Sequence, residues 1–513
     1  MLNANRRGVV IMEKTKKVCC IDGLNINSKK SFYLFVLIIS MGFSGCMVGP
    51  KYTKPTVETP DGWATLQNPM IDDKPGVPIG IRGSKQVDLV SWWDCFNDPM
   101  LGELIEKAVD SNHDLRLAEA RLREVRAAYG VSKAALYPQL KGSAGYKRQH
   151  ESENGPYGYL SDLDYNEYRV GFDASWEIDL WGRARHEKQA KKAEEGAALE
   201  DLRNVLVSVI GEVSCSYIEL RGFQRRVALI EKNMATVQKR LMLTEKRFQA
   251  GLASEVEVNE VSANLAGLTA EIPVLEGEVR QRIHAISTLL GELPGKYVER
   301  LSLEKPLPDL PADVEVGLPV ELLDRRPDIR EAERRLAAAT ERVGVAKADL
   351  LPRLSLSALF AYEALDFDRI TDSDSRASSF GPSFILPIFN AGRIRSNINV
   401  KTAQQEQALI KYEKAVLAAY KEVEDNLATY SAQQRRHEKL YRRVRKLQST
   451  ADLSQELYDK GKFNLLEVLE AQRTLLVAQD ELVQNEISLS VQLVSLYKAL
   501  GGGWGSGSKK TAL

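Results

Sequence analysis

The chain has 513 residues, with 70 Lys or Arg balanced by 70 Asp or Glu, so its formal net charge is zero and it carries no overall field to gather nucleic acid. Its five cysteines are too few for a disulfide framework and share no metal-ligand spacing with one another or with the five histidines, so neither a cofactor nor a metal site is expected. Length alone suggests roughly three domains, but long stretches rich in Ala, Leu, Glu, Lys, Gln and Arg, which are helix formers, point elsewhere.

Ser31 to Gly45, SFYLFVLIISMGFSG, is an apolar run preceded by Lys29-Lys30 and by the basic stretch Lys14 to Lys17. It is shorter than the roughly 20 residues that span a bilayer and has the length of a signal-peptide core. Ser44-Gly45 precede Cys46 as in a bacterial lipobox, although Phe43 stands where leucine is usual. Residues 1–45 therefore read as a lipoprotein signal peptide and Cys46 as the lipid-bearing N-terminus. The competing reading is an uncleaved anchor, or a cysteine that follows an ordinary signal by coincidence. Met12 offers a later start, and Met47 after Cys46 favours sorting to the outer membrane. Residues 46–98 form an extended, lipid-anchored segment: six prolines between Val48 and Gly80 leave little to bury.

Asp98 and Pro99 are a natural N-cap and first helical residue, opening a helix that reaches about Ala135 with a joint near Ser111-Asn112. Within it, Asp110 to Leu140 matches Asp324 to Leu354 at fourteen of thirty-one positions without a gap. A second shift, of 210, pairs Gly182-Arg183 with Gly392-Arg393, Gly251 with Gly461, and Glu257-Val258 with Glu467-Val468. The chain is one structural unit written twice, 99–293 and 320–504, joined by a proline-rich connector at 294–319 and ending in a disordered tail at 505–513.

In each copy the short helix stops before a proline, Pro138 or Pro352, because the residue preceding proline is pushed out of the helical region. Two segments of alternating character follow, within 140–180 and again within 354–388, separated by polar loops. That alternation is the weak signature of a membrane β-barrel; the alternative is soluble hairpins capping a bundle. Four strands cannot enclose a lumen, so several chains must share one barrel.

From Gly182 to Ala250 apolar residues recur in steps of three and four, interrupted only at Ser216 and Thr244, and adding 210 repeats the register with four polar interruptions. A seam of that kind is a coiled coil, and such a helix is on the order of 100 Å long. Gly251 and Gly461 break each long helix, and a return helix with a second heptad seam follows, Pro273 being expected to kink the first. The helical hairpins span 182–291 and 392–500.

The Cys46 lipobox, WWDCFNDP, WEIDLWGR, RFQAGLAS, LLDRRPDIREAE, FGPSFILPIFNAGRIR, YEKAVLAAYKEVEDNLA and YKALGGGW together resemble the TolC-like outer-membrane efflux channels, lipoprotein branch. The resemblance covers Cys46 to Trp504. It implies a mainly α chain with a membrane β-barrel: a homotrimer with a shared twelve-stranded barrel and a long α-helical tunnel, held in outer-membrane lipid and reaching into the periplasm. It also implies a periplasmic adaptor and an inner-membrane resistance-nodulation-division pump as partners, passive export of drugs or other small toxic compounds, and no catalytic residue.

The same resemblance places a constriction near the hairpin turns, where Tyr458, Glu467, Glu470 and Arg473 are the candidate gate residues. The last three share one helix face, and the alternative for Glu470 and Arg473 is an ordinary i,i+3 ion pair. The adaptor is expected on Gly251, Leu252, Ala253 and Ser254 and on Gly461, Lys462, Phe463 and Asn464. Glu424 and Asp425 lie too far from the turn, roughly 50 Å along the helix, to serve the gate. Type I protein secretion through the same architecture and a non-porous periplasmic scaffold are the competing functions. With no phosphate loop, nucleophile elbow or metal cluster, an enzyme is not expected.

Overall fold

The structure, a computed structural model, describes residues 47–67, 81–83, 89–155, 164–311 and 314–505. The signal-peptide run and Cys46 lie outside the described residues, as does the tail beyond Gly505.

The longest elements follow from the heptad seams. Helix α1 (Pro99–Ser111) starts on Asp98, whose carboxylate accepts from the backbone N–H of Met100 at 2.9 Å, and α2 (His113–Ala134) starts on Asn112 in the same manner. Strands β2 (Gln139–His150) and β3 (Asp164–Ile178) precede the 67-residue α3 (Arg183–Gln249), and α4 (Glu255–Leu289) returns, running unbroken across Pro273. The second copy repeats the order as α5 (Pro327–Ala348), β5 (Arg353–Ala364), β6 (Arg376–Ile385), the 67-residue α6 (Arg393–Asp459) and α7 (Leu465–Ala499). Each long helix spans about 100 Å at 1.5 Å per residue.

Strands β2, β3, β5 and β6 make one antiparallel sheet in that order, so the hairpins of the two copies pair directly through β3 and β5. The helices α2, α3, α5 and α6 stand side by side below it in the matching order. Two short strands unannounced by the sequence pattern, β1 (Ile81–Gly83) and β4 (Val314–Val316), pair in parallel and tie the N-terminal segment to the connector.

The main core gathers where α1, α3, α6 and α7 meet, with Leu101, Leu104, Tyr217, Leu220, Val416, Val423 and Leu493 fully enclosed. A smaller cluster lies nearer the turns, formed by Ile230, Val237, Val261, Leu268, Leu275, Leu465 and Leu469. The chain end docks as well: Gly503 N–H donates to the Leu89 carbonyl, and Trp504 lies under the guanidinium groups of Arg203 and Arg330 while its indole N–H donates to Arg325.

The N-terminal segment runs as a strap with neither helix nor strand from Met47 to Trp63. Val48 N–H donates to the Trp181 carbonyl, Tyr52 to Glu333, and the Trp63 indole to the Gly317 carbonyl at 2.7 Å. A single helical turn (Ala64–Gln67) then sets the N–H groups of Ala64 and Thr65 and the Thr65 hydroxyl on the carboxylate of Glu424. Glu424 thus holds the strap, which accounts for an acidic residue the sequence left without a role.

Candidate functional site

Side chains alternate across a strand, so the register of the sheet separates its residues into two faces. One face carries the rows Leu140–Ala174–Ala358–Phe380, Gly142–Phe172–Phe360 and Ala144–Val170–Tyr362, and continues through Trp176, Leu356, Leu354 and Phe384. The other carries Lys141–Asp173, Lys147–Glu167, Gly145–Arg169–Glu363 and a run of serines. The polar face is internally bonded: Ser143 donates to Asp173 at 2.9 Å, and Arg169 bridges Asp173 at 3.2 Å and Glu363 at 3.4 Å.

A sheet with one apolar and one polar face fits a wall between lipid and water. Among the described residues no helix is long and apolar enough to cross a membrane. The sheet does not close: β2 and β6 each have a single neighbour, and they run in opposite directions. One copy's β6 is therefore oriented to pair antiparallel with the β2 of another.

At the far end the two hairpin turns are built alike. Gly251 and Gly461 adopt φ of +69° and +70°, and in each turn two N–H groups fold back on the last helical carbonyls: Gly251 to Phe248, Leu252 to Arg247, Gly461 to Tyr458 and Lys462 to Leu457. Each return helix then opens with a capping box, Ser254 with Glu257 and Asn464 with Glu467. The eight expected docking residues fall in these turns, all exposed except half-buried Ala253.

The expected gate residues divide. Glu467 commits its carboxylate to the Asn464 N–H at 2.9 Å, closing the cap of its own helix. Glu470 and Arg473 stand on the exposed face of α7, 64% and 73% exposed, and approach only to 4.0 Å. Tyr458 is half-buried and joined to the other copy: Arg247 donates to its hydroxyl and lies 5.5 Å from its ring centre.

Arg247 belongs to a row at heptad spacing on α3, with Arg240, Asn233 and Arg226. Arg226 grips Asp480 of α7 with two hydrogen bonds, 2.6 and 3.1 Å. Arg240 donates to the amide oxygens of Gln455 and Gln472, and burial holds its pKa below the usual range. The charged acceptor lies highest and the neutral ones nearest the turns. Beside Arg240 a cavity of about 940 Å³ separates the helical hairpins, lined by Asn264, Glu271, Asp452, Gln472 and Arg473 among others. The arginine row escaped the sequence reading because its partners lie more than 200 positions away; its signal is the sevenfold spacing of Arg226, Arg240 and Arg247.

A family model described as outer membrane efflux protein matches residues 104–292 and 318–502, one segment in each copy. The chain is similar to the solvent efflux pump outer membrane protein SrpC of Pseudomonas putida, 32% identical over 483 residues that cover 93% of this chain and 98% of that one. It is 34% identical over 426 residues to the pyoverdine export outer membrane protein OpmQ of Pseudomonas aeruginosa, covering 82% and 88%. Among solved structures, the outer-membrane channel OprN superposes with a TM-score of 0.81 at 34% identity, over 90% of this chain and all of that one.

Proposed function

This chain belongs to the outer membrane efflux protein family, and from that premise we propose that three copies form the outer-membrane conduit of a tripartite pump, with their twelve barrel strands shared and their helices making one tunnel. It is an outer-membrane efflux channel protein. The observation that carries the trimeric reading is the open sheet: an apolar outer face, a polar inner face, and two free edges of opposite direction. The helices below it agree, since the outer helices α2 and α6 leave Leu117, Val131, Ile410 and Leu417 exposed on their free sides.

Transport through such a conduit is passive, with the inner-membrane pump supplying the energy. A periplasmic adaptor seats on the two turns, 251–254 and 461–464, and an inner-membrane resistance-nodulation-division pump supplies drugs or other small toxic compounds. The relatives' names support leaving the cargo to the pump, since one is a solvent efflux protein and another exports pyoverdine. The lipid on Cys46 anchors the strap. Its neighbour Met47 packs against Gly182, where strand β3 gives way to α3, a site at the base of the barrel that an acyl chain can reach.

The gate lies at the turns. Tyr458, with Arg247, holds the two helical hairpins together, and Glu470 with Arg473 lines the constriction. Opening starts there because the acceptors nearest the turns are neutral, whereas the Arg226–Asp480 pair farther from them adds the attraction of two opposite charges.

Planar-bilayer conductance of the purified protein, with native mass spectrometry of the same sample, tests this reading. Stable trimers that conduct ions support it, and a monomer without conductance refutes it. A deletion strain unchanged across a panel of drugs and metals would argue against an efflux role.

A further inference from the structure

The place where β3 hands over to the first long helix rests on the place where the second short helix hands over to β5. Within the chain this is seen once. Trp181, between β3 and α3, donates its indole N–H to the carbonyl of Pro352, between α5 and β5, at 2.8 Å. Pro352 is the repeat partner of Pro138, which lies between α2 and β2. The matching handover, from β6 to α6, is the last in the chain, and α2 to β2 is the first, so neither has its counterpart within one copy.

The β6–α6 handover carries the two most exposed large apolar side chains among the described residues, and the α2–β2 handover carries two more in the open. Ile388 is 91% exposed and Phe389 89%, while Tyr137 is 59% and Leu140 70% exposed. Antiparallel closure of β6 on the β2 of the next copy sets both handovers at one level, as β3 and β5 do inside the chain. At that level the β6 side lacks the tryptophan of the first copy: Leu180-Trp181-Gly182 becomes Asn390-Ala391-Gly392, with the aromatic residue moved back to Phe389. Asn390 receives the N–H of Ile394 at 3.5 Å, the capping role that Asp179 fills toward Ala184 in the first copy.

We propose that Ile388 and Phe389 of each copy seat on Tyr137, Pro138 and Leu140 of the next, replacing between chains the Trp181–Pro352 contact made within each. The occupant is a second copy of this chain, and the inference rests on the trimeric reading above. Two large apolar side chains in one pocket are the kind of central anchor that carries most of an interface's binding energy.

The test joins Tyr137→Cys with Phe389→Cys, and separately Leu140→Cys with Ile388→Cys, in the full-length protein purified in detergent and treated with a short bismaleimide. Linked dimers and trimers that require both cysteines of a pair are expected on denaturing gels. Native mass spectrometry of the same samples separates the failures: a trimer in which neither pair links overturns the seat and leaves the trimer standing, whereas monomers alone overturn the reading beneath it. Phe389→Ser is expected to shift dissociation of the trimer to milder detergent, and an unchanged dissociation profile would equally overturn the seat.

Discussion

Arg247 of the first long helix lies against the ring of Tyr458 of the second, 211 positions on in sequence, and donates to its hydroxyl, so one side-chain pair ties the two hairpin turns together. Removing that donation loosens the turns without touching either helix seam. Tyr458→Phe is expected to raise single-channel conductance or open time in planar bilayers modestly, since one hydrogen bond contributes about 0.5–1.5 kcal/mol, roughly a factor of 2 to 10 in an opening equilibrium. Arg240→Ala removes the donor of two hydrogen bonds at once, to Gln455 and Gln472, and is expected to act more strongly. Conductance unchanged in both variants would place the constriction elsewhere.

Glu470 is exposed and loosely paired, so the proposed lumenal role predicts that its charge acts on permeating ions. Glu470→Ala is expected to lower cation selectivity, measured as a shifted reversal potential in a salt gradient, and to admit larger antibiotics. Glu467→Ala should behave differently, costing the roughly 0.5–1.5 kcal/mol of the one hydrogen bond its carboxylate accepts at the helix start, with selectivity unchanged. Equal selectivity changes in the two variants would contradict that division.

Much of this architecture could be read directly. The seams of α3 and α6 announce themselves because a coiled coil repeats its apolar residues over many turns, and Pro138 and Pro352 mark where the short helices must end. The strands announce themselves more weakly, since glycines and alanines such as Gly142, Ala144 and Ala358 sit on the apolar face and blur the alternation. The capping boxes at Ser254 and Asn464 rest on a spacing of three to an acidic residue, a signal present in the sequence that escaped the sequence reading, and one of them gives Glu467 a structural partner in the Asn464 N–H. What stayed hidden depends on distant pairing: the arginine row meeting Asp480, Gln472 and Tyr458, the β1–β4 pair, and the hold of Glu424 on the strap. No local period encodes a contact whose halves lie hundreds of residues apart.

The strap makes a prediction of its own. Trp63 is 3% exposed, tilted against the ring of Tyr420, and hydrogen-bonded to Gly317. Trp63→Ala is expected to destabilise by about 3–5 kcal/mol and to free residues 47–67 for proteolysis. Glu424→Ala, which strips the acceptor from Ala64 and Thr65, should expose the same segment with a smaller loss of thermal stability. A strap equally resistant to protease in both variants would show that these contacts do not hold it.

Burial pushes the Cys95 thiol up to about 11 and the Cys215 thiol up to about 12. A raised thiol pKa means less thiolate at a given pH, so at pH 8 the Cys95 thiolate fraction is about one in a thousand against roughly one in four for a free cysteine. Maleimide labelling of the folded protein at pH 8 should be correspondingly slow at both residues and become fast on unfolding in denaturant. In linkage terms the neutral thiols favour the fold below the ordinary thiol range, and that contribution is lost as pH rises from about 8.5 toward 11 and 12. Rapid labelling at pH 8 in the native protein would contradict the raised pKa of these half-buried thiols.

Two kinds of glycine should respond differently to the same substitution. Gly251 and Gly461 hold a left-handed backbone, yet a methyl group built on either meets nothing within 4 Å. Alanine there should cost about 1–2 kcal/mol of backbone strain and leave the barrel intact. Gly171 has no such backbone requirement, but a methyl group on it would lie 2.5 Å from the Ala361 side chain and 2.6 Å from the Phe360 carbonyl, inside the β3–β5 pairing. Gly171→Ala must therefore push apart the one strand pair that joins the two copies, and is expected to reduce assembly and membrane insertion as well as thermal stability. Heat-modifiability on gels and the yield of folded trimer from outer membranes measure this, and a Gly171→Ala protein assembling as well as Gly461→Ala would show that the pair can open at little cost.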